Sequence, residues 1–338
     1  MNVLVRGAIS ALGQRVLAAE LTAPRFCLEY SGGDGDNSGN GSVETAADRA
    51  AKFARCDVIM VDQEPLTEAD FALLHRVRLV QRLGRGQYDI SGELAAARAH
   101  GVPVAHNKSG FAAAATAEHT VMAALALLRR LPDADAFVRS GEWLASNRFD
   151  AATRQLAGAS VALVGLGRVG AAAARLLSAF GADVGYFSRT RLDPAREREL
   201  GVKYRPLAEL LPAADVVSLH VRADAADYRF GAAEFALTRP GCYFVNTSRG
   251  GLVDEAALAS ALRSGRLAGA ALDVFAAEPL SPGSPLDGAP NLLLTPHIAG
   301  RTREVAEMYF RSACANIVRL EEGRPLRDLI EPMTRGAH

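Results

Sequence analysis

Arg249 in Asn-Thr-Ser-Arg-Gly, Glu278 in Asp-Val-Phe-Ala-Ala-Glu-Pro and His297 in Thr-Pro-His-Ile-Ala-Gly supply a guanidinium, a carboxylate and an imidazole within the last third of the chain. An imidazole titrates near neutrality, so His297 suits the base that takes a proton from a secondary alcohol while hydride leaves the carbon, and the acid of the reverse reaction. A carboxylate beside it favours the imidazolium, a role that fits Glu278. Arg249 offers two donors in a planar fork, suited to gripping a substrate carboxylate and polarising the neighbouring carbonyl. Taken singly, each has a plainer explanation: a satisfied core histidine, a carboxylate at a helix start before Pro279, a surface turn residue. Together they point to dehydrogenation of a small 2-hydroxy acid.

Each of these residues follows a strand-like apolar run: 242–246 before Arg249, 269–274 before Glu278 and 291–295 before His297. In an open parallel sheet the carboxyl ends of the strands line the ligand crevice, so distance in sequence does not keep the residues apart. With 160–164, 183–187 and 216–219 these runs make a six-strand nucleotide-binding pattern separated by helical segments. The first hundred residues also alternate, with strands at 3–5, 58–61, 79–81 and 102–105 and helices at 11–20, 67–75 and 91–99. Strand alternating with helix predicts an α/β chain with doubly wound parallel sheets. Residues 31–42, rich in Gly, Asn, Asp and Ser, read as a mobile surface loop. An Ala/Leu-rich helix over 116–130 stops before Pro132 and suits a connection between domains, and an amphipathic helix over 302–320 is expected to return to the first domain.

The run Gly165-Leu166-Gly167-Arg168-Val169-Gly170 stands between a strand and a helix. Gly165 permits the tight turn, Gly167 lets backbone approach a pyrophosphate, and Gly170 lets the helix pack on the strand. The amides that open the helix then hold the phosphate charge. At the end of the next strand, where NAD-specific sites usually carry Asp or Glu for the ribose 2′-hydroxyl, this chain has Ser188-Arg189-Thr190. A cation there suits a 2′-phosphate, so NADP(H) is the preferred cofactor, with NAD(H) possible if Arg189 and Arg191 form only a solvated face.

A chain of 338 residues predicts two compact units, and 49% hydrophobic against 22% charged residues fits ordinary globular cores. Lys plus Arg (38) balance Asp plus Glu (38), so no net field favours nucleic acid or an anionic membrane, and a small-molecule partner is expected. No apolar run approaches the roughly 20 residues of a membrane span. Met1 to Gly7 reads as a first strand rather than a signal peptide, which places the protein in the cytoplasm. Cys27, Cys56, Cys242 and Cys314 are scattered and read as reduced, mostly buried thiols. Neither they nor His75, His100, His106, His119 and His220 have zinc spacing, so no metal is expected.

The triad, spaced 29 and 19 residues apart, sits in long blocks: Val245 to Glu255, Gly269 to Phe275 and Thr295 to Gly300. With residues 101–118, Arg139-Ser140-Gly141-Glu142-Trp143 and 158–170, these resemble the family of D-isomer-specific 2-hydroxyacid dehydrogenases over nearly the whole chain, most weakly before residue 80. The resemblance implies a Rossmann NAD(P)-binding domain over 111–300, inserted in a flavodoxin-like substrate-binding domain of 1–110 and 301–338. It also implies a homodimer. It further implies that Asp273 holds the nicotinamide carboxamide, that Thr116, Val221 and Thr247 line the cofactor, and that the Arg85-Gly86 backbone binds the substrate carboxylate.

The chain departs from the family pattern at Arg85, where many relatives carry a small or apolar residue; a second cation there would select a dianion such as a dicarboxylate, a phosphorylated hydroxy acid or a phosphonate, unless it points outward. Residues 220–224 and Asn107-Lys108-Ser109-Gly110 also depart from it. The expected activity is NADPH-preferring reduction of glyoxylate, hydroxypyruvate or a similar 2-oxo acid to the D-hydroxy acid. The alternatives are a dehydrogenase of phosphonates or other dianions and a non-catalytic cofactor-sensing protein.

Overall fold

The computed structural model describes residues 1–7, 9–31, 45–62, 64–83, 90–107, 110–221 and 228–330. The chain divides into two compact units, Met1–Phe111 with Arg303–His338, and Ala112–Thr302.

In the first unit, parallel strands β1 (Asn2–Arg6), β2 (Cys27–Ser31), β3 (Val58–Val61), β4 (Leu79–Arg82) and β5 (Val104–His106) lie in the order β2-β1-β3-β4-β5. This is the flavodoxin-like order. Helices α1 (Ala11–Glu20), α2 (Ala46–Arg55), α3 (Glu68–Phe71) and α4 (Ser91–Ala99) connect them. Val3 and Val5 pack into one apolar cluster and Leu4 into another, so both faces of the sheet are covered and the central strand reads as a continuous apolar run. Side-chain oxygens of Ser10, Thr45 and Thr67 cap α1, α2 and α3.

Several boundaries differ from those expected. β2 and α2 are additional: β2 is an edge strand whose one buried residue is Ser31, and α2 is an amphipathic helix that buries Phe53 alone. Ser31 therefore belongs to a strand and not to the expected loop, whose other residues lie outside those described. The helix expected over 67–75 is the short α3, and the strand expected over 102–105 is β5.

The second unit holds β6 (Ser160–Val164), β7 (Asp183–Phe187), β8 (Val202–Tyr204), β9 (Val216–Leu219), β10 (Cys242–Asn246), β11 (Leu267–Leu272) and β12 (Leu292–Leu294), all parallel, in the order β12-β11-β10-β9-β6-β7-β8. This is the Rossmann order extended by one strand. Its helices are α5 (Ala113–Leu128), α6 (Leu131–Arg139), α7 (Arg168–Ala179), α8 (Pro194–Leu200), α9 (Leu207–Ala213), α10 (Ala232–Leu237) and α11 (Glu255–Arg263). Val161 and Leu163 face a cluster with Leu127, Leu177 and Tyr186, while Ala162 and Val164 face one with Phe230, Phe235 and Phe244. The expected six strands are thus seven, because β8 is a short edge strand with Lys203 exposed at its centre.

The helix expected over 116–130 begins at Ala113 and ends at Leu128; Arg130 then adopts a left-handed φ of 48°, and Pro132 sits in the first turn of α6, where its missing N–H is not needed. The last helix, α12 (Arg303–Glu321), packs on α1 within the first unit. Among the described residues no helix is long and apolar enough to cross a membrane.

Candidate active site

The strand order of the second unit makes the three sequence motifs neighbours. Arg249 follows β10, Glu278 follows β11 and His297 follows β12, and these strands are adjacent along one side of the sheet. Glu278 and His297 meet directly: His297 Nδ1 lies 2.8 Å from Glu278 Oε2, while Oε1 of the same carboxylate accepts from the Phe275 amide at 3.0 Å. The His297 side chain is 29% exposed and Glu278 17%, so the pair is sheltered but reachable.

His297 itself has a φ of 53°, unusual for a residue with a side chain, and the turn that imposes it is held from below. Asp273, 1% exposed at the end of β11, accepts from Thr295 Oγ1 at 2.6 Å, from the Ile298 amide at 2.8 Å and from the Ala299 amide at 2.7 Å. Its carboxylate thus brackets His297 on both sides in sequence. His119 of α5 adds a hydrogen bond to Thr295 Oγ1 at 3.2 Å.

Arg249 is not joined to that pair. Its exposed guanidinium donates to the Ser248 carbonyl at 2.7 Å and makes no ion pair among the described residues. Two features missing from the sequence reading shape its turn. Asn246, fully buried, accepts from the Ser248 amide at 3.0 Å and donates to the Arg249 carbonyl at 3.0 Å. Gly250 packs backbone against backbone: a Cβ there would stand 1.8 Å from the carbonyl carbon of Phe275. The turn of Arg249 is thereby pressed onto the segment that leads to Glu278. An Asn at a strand end, as an Asx-turn former, and the Gly250-Gly251 pair were the available signals. Gly250→Ala is expected to destabilise the protein by at least about 3 kcal/mol, since neither backbone can yield, and to lower activity beyond the loss of folded protein. Urea denaturation with activity per folded molecule checks this; a wild-type midpoint would show that the contact is loose.

The glycine-rich turn lies after β6. Gly165 has φ 92°, and a Cβ on it would come within 2.6 Å of the His220 carbonyl oxygen; one on Gly170 would come within 2.8 Å of the Gly165 oxygen. Nothing lies within 4 Å of the Cβ position of Gly167, which caps α7 with no side chain. Gly165 and Gly170 thus leave no room for a side chain, while the space at Gly167 before the first amides of α7 is open, the arrangement a pyrophosphate needs. Arg168 is exposed there and Val169 half-buried. His220 beneath the turn is buried and accordingly pushed down to about 4, so it is neutral, with Nε2 3.0 Å from Ser218 Oγ.

At the end of β7, Ser188 is half-buried and hydrogen-bonds through its Oγ to the Thr190 carbonyl, while Arg189 and Thr190 are exposed. Arg189 has no ion-pair partner among the described residues. Arg191, by contrast, is committed: its Nε and Nη2 reach Glu197 Oε1 and Oε2 at 2.8 and 2.9 Å, and these contacts with Tyr186 hold the Glu197 carboxyl down at about 2. Thr116 lies in the first turn of α5, Thr247 Oγ1 is 2.9 Å from Thr120 Oγ1, and Val221 is half-buried after β9. Arg85, Gly86, Lys108 and Ser109 lie outside the described residues, as do 222–227. Among the described residues no cluster of His, Cys, Asp or Glu could hold a metal ion.

Comparison with known proteins bears on this arrangement. The family model described as D-isomer specific 2-hydroxyacid dehydrogenase, NAD binding domain, matches residues 121–299. A glyoxylate reductase of Aeropyrum pernix is 37% identical over 260 residues, 75% of this chain and 76% of its own length. Another, from Thermococcus litoralis, is 36% identical over 268 residues, 78% of each chain. The crystal structure of the TT0316 protein from Thermus thermophilus superposes with a TM-score of 0.79 at 31% identity, covering 98% of this chain and all of that one. The chain belongs to the D-isomer-specific 2-hydroxyacid dehydrogenases, enzymes that work with a nicotinamide cofactor.

Proposed function

We propose that this enzyme reduces a small 2-oxo acid, such as glyoxylate or hydroxypyruvate, to the D-2-hydroxy acid with NADPH preferred over NADH. The observation that carries the reading is the 2.8 Å His297–Glu278 pair, set in a turn that Asp273 holds rigid. The cofactor, when bound, exchanges hydride with the substrate carbon. With Nδ1 of His297 held by Glu278, Nε2 is the nitrogen that gives its proton to the carbonyl oxygen as the hydroxy acid forms, and takes it back in oxidation. Glu278 fixes the ring through Nδ1 and so leaves Nε2 to meet the substrate oxygen. Arg249, with the Arg85-Gly86 backbone, grips the substrate carboxylate.

The amides that open α7, with Gly165, Gly167, Arg168, Val169 and Gly170, would hold the pyrophosphate, and Ser188, Arg189 and Thr190 the 2′-phosphate. Thr116, Val221 and Thr247 would line the cofactor, and Asp273 would hold the nicotinamide carboxamide with the same carboxylate that orders the His297 turn. In this reading the first unit binds substrate and the second binds cofactor. The large apolar side chains of Leu131, Val138, Trp143 and Leu144 are 58%, 52%, 70% and 99% exposed, which supports a homodimer that covers them. Burial pushes the thiols of Cys56, Cys242 and Cys314 up to about 12, and unpaired cysteines of this kind suit the reducing cytoplasm.

The test is loss of absorbance at 340 nm with NADPH or NADH over glyoxylate, hydroxypyruvate, oxaloacetate, phenylpyruvate and phosphonopyruvate. NADPH oxidation with the first two is expected, and Arg189→Met should raise KM for NADPH by about tenfold while leaving that for NADH within twofold. Equal or better kcat/KM with NADH would remove the cofactor preference. Silence on every acid with cofactor binding retained would favour a cofactor sensor.

A further inference from the structure

The turn that carries Arg189 is built around a group that does not face a ligand. Glu197, on α8, receives Arg191 through both carboxylate oxygens and the Tyr186 hydroxyl at 2.8 Å. The Tyr186 oxygen in turn accepts the backbone N–H of Leu192 at 2.8 Å. Tyr186 is fully buried, its ring edge-on to Tyr204 at 5.5 Å, and the Arg191 guanidinium lies over the same Tyr204 ring at 5.5 Å. The segment is therefore tied at its far end by side chain and by backbone. At its near end the Phe187 carbonyl accepts the Gly165 amide at 2.7 Å, which fastens it to the glycine-rich turn. Between these ties Ser188 closes onto the Thr190 carbonyl, and Arg189 stands exposed at the apex.

We propose that Glu197 is a positioning residue for cofactor discrimination: by clamping Arg191 and, through Tyr186, the backbone at Leu192, it sets the turn that presents Arg189 to the adenosine ribose. The inference rests on the assignment of Arg189 to the 2′-phosphate. A long, exposed cation gains selectivity when its backbone is fixed before the ligand arrives, because less ordering is left to binding. Arg191 has a structural duty here and is not a second phosphate ligand, although sequence alone makes the two arginines equivalent.

Steady-state kinetics of the full chain with NADPH and NADH, on the best 2-oxo acid, test this with Glu197→Gln, Arg191→Met, Tyr186→Phe and the Glu197→Gln/Arg191→Met double variant. Each single change is expected to raise KM for NADPH by about tenfold, with kcat and KM for NADH within twofold. The double variant should be no worse than either parent, since both changes open one clamp. Glu197→Gln and Tyr186→Phe nearly preserve shape, so they carry the test if Arg191→Met folds poorly. Opposite signs, with Arg191→Met weakening NADPH and Glu197→Gln strengthening it, would make Arg191 a direct ligand and overturn the proposal, as would unchanged KM values in an NADPH-preferring enzyme. A wild-type preference for NADH would instead overturn the assignment of Arg189 itself.

Discussion

Replacing His297 by alanine is expected to lower kcat and kcat/KM for 2-oxo acid reduction together by about a thousandfold, the scale of losing a positioned proton donor. The affinity for NADPH, read by quenching of its fluorescence, should stay within twofold, because the glycine-rich turn that would hold the pyrophosphate lies after β6 while His297 follows β12. Stability should also change little, since the side chain is 29% exposed and its turn is held through the backbone amides of Ile298 and Ala299. Glu278→Gln serves as the comparison: its single acceptor oxygen cannot serve both the Phe275 amide and Nδ1–H, and the carboxylate charge beside the ring is gone, so its activity should fall between wild type and His297→Ala. If His297→Ala retains more than a tenth of wild-type kcat, the proton comes from elsewhere and the assignment is wrong.

Most of the scaffold that positions this pair was legible because both sheets are parallel and covered on both faces, so central strands such as Ser160–Val164 and Cys242–Asn246 appear as unbroken apolar runs. The strands missed, β2 and β8, are edge strands, one in each sheet. An edge strand packs on one neighbour only, and accordingly Cys27–Ser31 buries Ser31 alone while Val202–Tyr204 exposes Lys203 at its centre. Such a pattern does not differ from that of a loop until the neighbouring strand is known.

The site divides along the same line. Side chains whose chemistry is unusual for their location, such as His297 before Ile298 or the glycines of 165–170, were readable from type and spacing. The groups that hold them were not, because their partners are set by the fold: Asp273 reaches across to residues 295, 298 and 299, and Tyr186 joins Leu192 to Glu197. The family resemblance gives Asp273 a ligand role, with a plain turn residue as the alternative; its geometry shows which amides such a turn role holds. The pair Arg189 and Arg191 shows the limit most plainly, since two arginines of one tripeptide are told apart only once α8 brings Glu197 to one of them.

Arg249 offers the sharpest test of how the substrate is held. Because its guanidinium is exposed and has no ion pair among the described residues, Arg249→Met should cost less than about 0.5 kcal/mol of stability, so any loss of activity reports on the reaction. Two charge-assisted hydrogen bonds to the substrate are worth roughly 3 to 6 kcal/mol, which predicts a fall in kcat/KM of about 10² to 10⁴. How that fall divides is informative. A guanidinium that only anchors the carboxylate binds ground state and transition state alike, and its removal would appear in KM alone. One that also polarises the carbonyl strengthens its bond as negative charge grows on oxygen, and its removal would lower kcat as well. We expect both parameters to change, with Arg249→Lys restoring part of the KM but little of the kcat, because a single ammonium replaces the charge and not the planar fork. A lysine variant with wild-type kcat would show that charge alone suffices, and would leave Arg249 as an anchor with no part in polarising the bond that receives hydride.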